Sequence, residues 1–237
     1  MIIMIGEREA HILEMLVREY IRSAEPVSSE RIAGRLKNSL SPATVRNVFS
    51  DLTDSGFIEQ HHISGGRVPR TPAYRFFVDR VMSGEARTGT LSSGLERLLT
   101  RFDEASEAMR ALQEEVAEHL HVLSYVSGAP PVGFDRIFHE PEFQEKSLVE
   151  EFGSFLDTFE KYEETYVREL DSDSYDVIIG EENSIQPITH VSIVVTKTPA
   201  GDLFFMAGPT RMHYDRIINM MNIWQKKAKT TKKKKMK

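Results

Sequence analysis

Apolar residues recur at helical spacing through the N-terminal part of the chain and predict a run of short helices. Between Glu7 and Arg22 the apolar positions share one helix face. A short helix capped by Ser28 follows, and the next begins at Ser41 with a proline at its first position, where the missing N–H costs nothing. In this helix four apolar residues at i, i+3, i+4 and i+7 predict one buried stripe, namely Val45, Val48, Phe49 and Leu52.

The opposite face of the Ser41 helix carries small and polar side chains. A small residue, a cation, an amide and a hydroxyl suit a helix that enters the major groove of DNA and touches base edges. The helix is expected to stop at Gly56, a natural C-terminal cap. The predicted DNA-contacting residues of this helix are Ser41, Ala43, Thr44, Arg46, Asn47 and Ser50.

A hairpin is predicted directly after this helix. Residues 57–60 and 67–69 have the composition of two short strands, and Ser64-Gly65-Gly66 between them is typical of a tight turn. A pair of helices followed by such a hairpin predicts a helix-turn-helix with a β-wing, which is the shape of a DNA-reading domain, here residues 1–84. Arg67 and Arg70 flank the wing, where we expect them to contact phosphate or the minor groove.

Several sequence motifs occur here in a specific order. They are EPVSSERIA (Glu25–Ala33), LSPATVRN (Leu40–Asn47), SGFIEQHHISGGRVP (Ser55–Pro69) and YRFFVD (Tyr74–Asp79), followed near the other end by IGEEN (Ile179–Asn183) and GPTRMHY (Gly208–Tyr214). In these motifs the chain resembles the HrcA family of bacterial heat-inducible transcription repressors. It departs from the family pattern at His61, Gly65 and Ala73, where that family usually has proline, alanine and glycine.

The resemblance implies a function that composition and spacing do not show. It implies a homodimer that binds double-stranded DNA at the inverted-repeat operator of chaperone operons and is released under heat stress. It also implies a GroEL-type chaperonin as a partner and a GAF-like C-terminal domain. Two alternatives remain open: a winged-helix module that binds protein, and a DNA-binding regulator that responds to a different signal.

A regular heptad pattern follows the first domain. From Leu91 to Val116, apolar residues alternate in steps of four and three, which predicts one long dimerisation helix over residues 91–126. The alternative is an amphipathic helix packed on the core of its own chain. The residues expected to pair two chains are Leu95, Leu98, Phe102, Met109 and Leu112.

The rest of the chain predicts a small α+β unit over residues 134–225. An acidic helical region spans residues 140–176, and three strands follow at residues 175–179, 191–196 and 203–207. A turn at Thr198–Asp202 joins the last two strands, and residues 210–225 form a closing helix. With the resemblance, this unit is expected to be a reduced GAF-like domain without its opening strands.

Charge is distributed unevenly along the chain. The net charge of −6 combines +1 over residues 1–84, −15 over residues 85–225 and +8 over residues 226–237. The last segment is expected to be a disordered basic tail that attracts phosphate or binds the acidic centre of its own chain. The near-neutral N-terminal part must present its arginines on one face if it binds DNA.

Composition narrows the remaining function classes. The chain has no cysteine, which excludes thiol catalysis, disulfides and cysteine-based zinc sites and suits a reducing cytoplasm. No apolar run approaches the ~20 residues of a membrane span, and the N-terminus lacks the pattern of a secretory signal, so cytoplasmic localisation is expected. The histidine pairs His61-His62 and His119/His121 are poorly spaced for a metal. We expect no enzyme activity, no metal and no cofactor, because no catalytic constellation is apparent.

Overall fold

The computed structural model describes residues 5–37, 39–60, 65–101, 106–171, 174–186, 188–198 and 201–235. The chain divides into two compact units, Met1–Ala86 and Arg87–Lys237. Helices and two antiparallel sheets make up the described residues, which confirms the predicted α+β class. A search of the described helices finds none with the length and apolar character needed to cross a membrane.

The described residues of the first unit form four helices and a two-stranded sheet. In chain order these are α1 (Glu7–Ser23), α2 (Ser29–Arg35), α3 (Pro42–Asp54), β1 (Ile58–Glu59), β2 (Val68–Pro69) and α4 (Thr71–Ser83). Each predicted serine cap is present: the Ser28 hydroxyl accepts from the Arg31 amide at 3.2 Å, and the Ser41 hydroxyl accepts from the Thr44 amide at 3.1 Å. These bonds satisfy backbone donors that have no partner inside the first turn of a helix.

The helices of the first unit share one apolar core. The predicted stripe of α3 is buried, and α3 packs against α1 and α2, while α4 packs against α1. The two short strands also place Ile58 and Val68 in buried positions. Burial of one face of each helix leaves the other faces to solvent, as their amphipathic patterns require. In α3 the buried residues are Val45, Val48, Phe49 and Leu52.

The second unit is built on a four-stranded antiparallel sheet. Its elements are α5 (Ser93–Arg101), α6 (Ser106–Leu120), β3 (Leu123–Val126), α7 (Phe134–Ile137), α8 (Lys146–Asp157), α9 (Phe159–Glu169), β4 (Tyr175–Ile179), β5 (Val191–Lys197), β6 (Leu203–Pro209) and α10 (Tyr214–Lys235), with short 3-10 turns at Pro141–Gln144 and Gly180–Glu182. The strand order is β3-β6-β5-β4. The last three strands lie where the sequence predicts them, and the turn between β5 and β6 closes with the Thr198 amide donating to the Asp202 carbonyl.

Both faces of this sheet are covered, which explains why β5 and β6 are buried almost throughout. On one face Phe205 contacts Phe159 of α9 at a ring-centroid distance of 4.8 Å. Its neighbour Phe204 points to the opposite face and contacts Trp224 of α10 at 5.3 Å. Successive side chains of a strand alternate between faces, so covering both faces requires apolar residues at consecutive positions.

The prediction of one long helix over residues 91–126 is wrong. The described residues of this stretch form two helices, α5 and α6, and Leu123–Val126 is strand β3, paired with β6. The start of α5 lies beside the end of α6, because the Ser92 amide donates to His119 at 3.0 Å and the Ser92 hydroxyl donates to Glu115 at 2.9 Å. The two helices are therefore antiparallel, and the heptad pattern brings them together within one chain. The alternative interpretation, in which the heptad pattern packs on the core of its own chain, therefore describes this stretch better.

Two further boundaries differ from the prediction. The α+β unit does not begin at residue 134, because β3 supplies a strand at the edge of the sheet and α5 and α6 belong to the same compact unit. At the other end, α10 continues through Lys235 instead of ending at residue 225 and giving way to a disordered tail. Lysine and alanine are good helix formers, so a helix that is already nucleated extends through them at little cost.

Candidate nucleic-acid interface

Helix α3 presents a polar face next to the turn from α2. The side chains of Ala43, Arg46, Asn47 and Ser50 are exposed, as is Ser41 at the N-cap, while Thr44 is half-buried. The Ser41 hydroxyl also lies 2.9 Å from the Thr44 hydroxyl, so it contacts both the backbone amide and the side chain of Thr44. All six residues that the sequence singles out in this helix therefore lie together at its first turns and along one exposed face.

Arg46 is held by an acidic residue of the preceding helix. Its guanidinium donates to a carboxylate oxygen of Glu30 at 3.0 Å and lies 3.5 Å from the Ser29 hydroxyl. Both Arg46 and Glu30 are well exposed, so water screens the pair. The sequence pattern did not identify Glu30, because it looked like an ordinary acidic residue in the first turn of a helix.

The predicted wing strands form a short antiparallel sheet that also reaches back to the segment before α2. Ile58 pairs with Pro69 and Glu59 with Val68. Beyond this pairing, Val27 and Arg67 exchange two backbone hydrogen bonds of 2.9 and 2.8 Å. The return strand of the hairpin is therefore joined to the segment that leads into α2. His61, His62 and Ser64 lie outside the described residues.

Gly66 stands where two backbone segments meet. A Cβ atom at this position would lie 2.6 Å from backbone atoms of Pro26 and Val27. Backbone atoms cannot move aside as a flexible side chain does, so only glycine permits this approach. The sequence predicts Gly66 as part of a tight turn, but it does not indicate that this glycine is also needed for the contact with Pro26 and Val27.

The two wing arginines have different surroundings. Arg67 is partly buried, and its Nε atom has no hydrogen-bond partner within the described part of the chain. Arg70 is exposed, lies 3.7 Å from Glu59 and occupies the N-cap position of α4 without a side-chain capping bond. Glu30, Arg46 and Arg67 line the same cleft of about 450 Å³ between the start of α2, helix α3 and the hairpin. The fold thus brings a residue of α3 and a residue of the hairpin together, whereas Arg70 stands outside this cleft.

A buried carboxylate joins the first two helices behind this surface. Glu19 of α1 is only 6% exposed, and it pairs with Arg31 at 2.9 Å, with Arg35 at 3.1 Å and with Arg22 of its own helix. Burial alone would raise the pKa of Glu19. The hydrogen bond and charge of Arg22, together with the charges of Arg35 and Arg31, instead hold that pKa below its ordinary value. The sequence pattern did not identify Glu19, because a charged residue between the apolar positions of an amphipathic helix is expected to face solvent.

The predicted dimer residues fall into two groups. Leu95 and Leu112 are completely buried within this chain, and their part in a dimer stays a prediction. Leu98 and Met109 are only partly buried. Phe102 lies outside the described residues. A regular heptad can serve a helical hairpin within one chain as well as a contact between two chains, and local sequence does not distinguish the two.

The second unit contains a buried ion cluster in the GPTRMHY motif. Arg211 is 8% exposed, and its guanidinium donates to both Glu140 and Glu142. Despite burial, these two carboxylates raise the pKa of Arg211, so it stays charged. Nearby, burial and then the charges of Arg216 and Arg211 lower the pKa of His213 to about 4, which keeps this imidazole neutral. The cluster ties the turn before α10 to the segment before α8.

A metal site finds no support in the described residues. No three histidine or acidic side chains there come together in a group that could hold an ion. His119 instead accepts the Ser92 amide, and His121 lies 2.7 Å from Glu140. These contacts fix helix ends and turns within the second unit.

Comparisons with known proteins point to one family. The family model described as HrcA protein C terminal domain matches residues 52–218. The heat-inducible transcription repressor HrcA of Nitratidesulfovibrio vulgaris (strain DP4) is 38% identical over 128 residues, which cover 54% of this chain and 36% of that protein. The protein of the same name from Shouchella clausii (strain KSM-K16) is 41% identical over 124 residues, covering 52% and 36%. The matches thus span about a third of these relatives' own length.

A solved structure shares the fold over nearly the full chain. It is a crystal structure of a hypothetical protein at 2.2 Å resolution, with a TM-score of 0.74 and 15% sequence identity, covering 95% of this chain and 98% of that one. At this identity the likeness concerns the fold alone. The family model, by contrast, covers well over half of the chain, from α3 into α10. The chain belongs to the HrcA family.

Proposed function

We propose that this chain is a sequence-specific DNA-binding transcription repressor, in which α2 and α3 form a helix-turn-helix and β1 and β2 form its wing. The observation that carries the proposal is the division of α3 into two faces. One face is buried in the core, and the other exposes a small residue, an arginine, an asparagine and a serine. Such a face suits the major groove, where side chains of these types read base edges.

Each predicted contact residue has a distinct part in this proposal. Arg46 pairs with guanine through its planar guanidinium, and Asn47 pairs with adenine through its amide. Ser41 and Thr44 lie at the N-terminus of α3, where hydroxyls and free backbone amides suit phosphate oxygens. Ala43 and Ser50 allow close approach to base edges. Arg67 and Arg70 contact phosphate or the minor groove beside the wing.

The relatives indicate the target. The proteins that match this chain are named heat-inducible transcription repressors, and the alignment covers about half of this chain. We therefore assign to the chain an inverted-repeat operator of chaperone operons, release from it under heat stress, and action in the cytoplasm. The same proposal includes a GroEL-type chaperonin, which would be the partner that keeps the repressor active. Repression follows from occlusion, because a repressor seated in adjacent major grooves blocks the polymerase.

An inverted repeat requires two reading domains, so the proposal includes a homodimer. Leu98 of α5 and Met109 of α6 are the predicted dimer residues that remain partly exposed. They lie beside the buried seam of the hairpin and offer an apolar edge to a second copy. The α5–α6 hairpin is therefore the dimer surface in this proposal, in place of the single long helix that the sequence predicted.

The proposal is tested by footprinting the purified protein on the chaperone promoters of the genome that encodes it. Protection of an inverted repeat, at concentrations that leave random DNA unprotected, is the expected result. Protection should also be lost in Asn47→Ala. Uniform protection of all sequences would leave only nonspecific binding, and no protection with a folded protein would favour a winged helix that binds protein.

A further inference from the structure

The carboxylate of Glu30 lies on the proposed DNA-reading surface, where an acidic group is unexpected. It is 3.0 Å from the Arg46 guanidinium and lines the same cleft as Arg46 and Arg67. DNA phosphates repel a carboxylate, so its presence costs affinity for any DNA sequence. A carboxylate that lowers the affinity for DNA of every sequence is expected to improve binding in some other way.

Glu30 is also held in position independently of Arg46. Its carboxylate lies in the first turn of α2, beside Ser28 and Ser29. The backbone amide of Glu30, these two serines and the charge of Arg46 hold the pKa of Glu30 below its ordinary value, so it carries its charge at neutral pH. The carboxylate is on the shorter side chain and lies 3.0 Å from Arg46, so the longer arginine side chain is the group that we expect it to orient.

Orientation matters because arginine reads a base through two parallel hydrogen bonds. The guanidinium has five N–H donors, and Glu30 uses only part of them, which leaves others for a guanine edge. A free arginine loses side-chain entropy when it binds, whereas one already held by a carboxylate loses less. As the site closes on DNA, the loss of water strengthens the contact between the two charges.

We propose that Glu30 is a positioning residue that sets sequence discrimination by holding Arg46 in its base-reading orientation. The inference rests on the proposed DNA-binding function and deepens it. Glu30 weakens contact with all DNA through its charge, and it improves the reading of the correct base through Arg46. The ratio of affinities for specific and random DNA therefore depends on Glu30 only while Arg46 is present.

The experiment is a double-mutant cycle measured on two duplexes at matched salt. One duplex is selected from a random-sequence library by the wild-type protein, and the other is a random duplex of equal length. The variants are Glu30→Gln, Arg46→Ala and the double variant. Glu25→Gln is the matched control, since Glu25 is an exposed carboxylate paired with Arg31 at 3.4 Å and stands outside the cleft. Glu30→Gln should lower the specificity ratio by roughly five- to thirty-fold, the range of part or all of one bidentate base contact.

The double variant distinguishes a positioning role that acts through Arg46 from simple repulsion between Glu30 and DNA. In the Arg46→Ala background, Glu30→Gln should leave the specificity ratio unchanged, and Glu25→Gln should leave it unchanged in every background. A Glu30→Gln variant that strengthens binding to both duplexes equally, with or without Arg46, would reduce Glu30 to a repulsive charge and overturn the inference. Failure of the proposed function is distinguishable, because then no duplex would be selected or Arg46→Ala alone would bind as the wild type does.

Discussion

At Glu19, a carboxylate that is almost excluded from water connects α1 to three arginines. Two of these arginines belong to α2, so the cluster fixes the helix that precedes the proposed recognition helix. Removing one partner of a buried ion pair usually costs more than the pair contributes, because the remaining charges lose their compensation. The arginines are partly exposed, which moderates the cost.

Glu19→Gln should destabilise the first unit by about 1–3 kcal/mol at neutral pH. The folded-state pKa of Glu19 lies below its unfolded value, so this stabilisation is present above the unfolded pKa. It is lost as the pH falls through the folded-state pKa, and the difference between wild type and variant should vanish in acid. Urea denaturation over a pH series measures this. Asp79→Asn, which removes an exposed carboxylate 3.4 Å from Arg75, is the control and should change stability little at any pH.

Asn47→Ala should weaken binding to the specific duplex by about 1–3 kcal/mol and change binding to random DNA much less. Asn47 is exposed on α3, and alanine is a better helix former, so the fold should be unaffected. Asp54→Ala at the exposed end of the same helix is the control. Titration of both duplexes by fluorescence anisotropy checks the prediction. Equal losses on both would make Asn47 a phosphate contact.

At the scale of elements, the hairpin of the first unit depends on one close approach of two backbones. Gly66→Ala would place a Cβ atom 2.6 Å from the backbone of Pro26 and Val27. We expect a loss of about 1–3 kcal/mol in stability and weaker DNA binding, because the wing must move away from α2. The matched control is Gly34→Ala in α2, whose added Cβ meets no atom within 4 Å. Thermal denaturation of the two variants should show opposite signs, since alanine at Gly34 favours the helix.

The α5–α6 hairpin shows how one apolar pattern can serve two kinds of contact. Leu98→Glu combined with Met109→Glu would place charges at the partly exposed edge of this hairpin. If that edge joins two chains, the dimer should dissociate and operator affinity should fall, because each half-site would be held by one reader. Sedimentation velocity measures the association state. Ser93→Glu, an exposed position in the same helix, is the control. A folded variant that sediments as the wild type does would contradict the dimer surface.

At the scale of the whole molecule, charge is segregated along the chain. The last twelve residues carry eight lysines and no acidic residue, whereas residues 85–225 carry a net charge of −15. The backbone continues as helix α10 through Lys235.

Deleting residues 226–237 should weaken binding to all DNA sequences and flatten the dependence of log K on log salt. The slope should fall by roughly 0.9 for each lysine that contacts a phosphate. Preference for the specific duplex should survive, because a lysine tail has no base-reading geometry. A variant with glutamine in place of these lysines is the control for chain length. If the tail neutralises the acidic part of its own chain instead, the slope will be unchanged and stability will fall.

Local sequence was sufficient where a feature depends on neighbours along the chain. The serine caps, the buried stripe of α3, its exposed polar face and strands β4, β5 and β6 all follow from spacing and capping chemistry. The motifs also identified the family. Each of these caps, faces and strands is determined by residues within two helical turns or within one strand.

Tertiary structure decided what depends on residues distant in sequence. The heptad of residues 91–126 closed on itself as α5 and α6, and its last residues became β3 because an open edge of β6 offered backbone partners. The pairing of Val27 with Arg67, the approach that requires Gly66, and the contacts of Glu19 and Glu30 likewise join separate segments. Spacing along a chain fixes which face of an element is apolar, but the partner of that face is chosen only when the whole chain has packed.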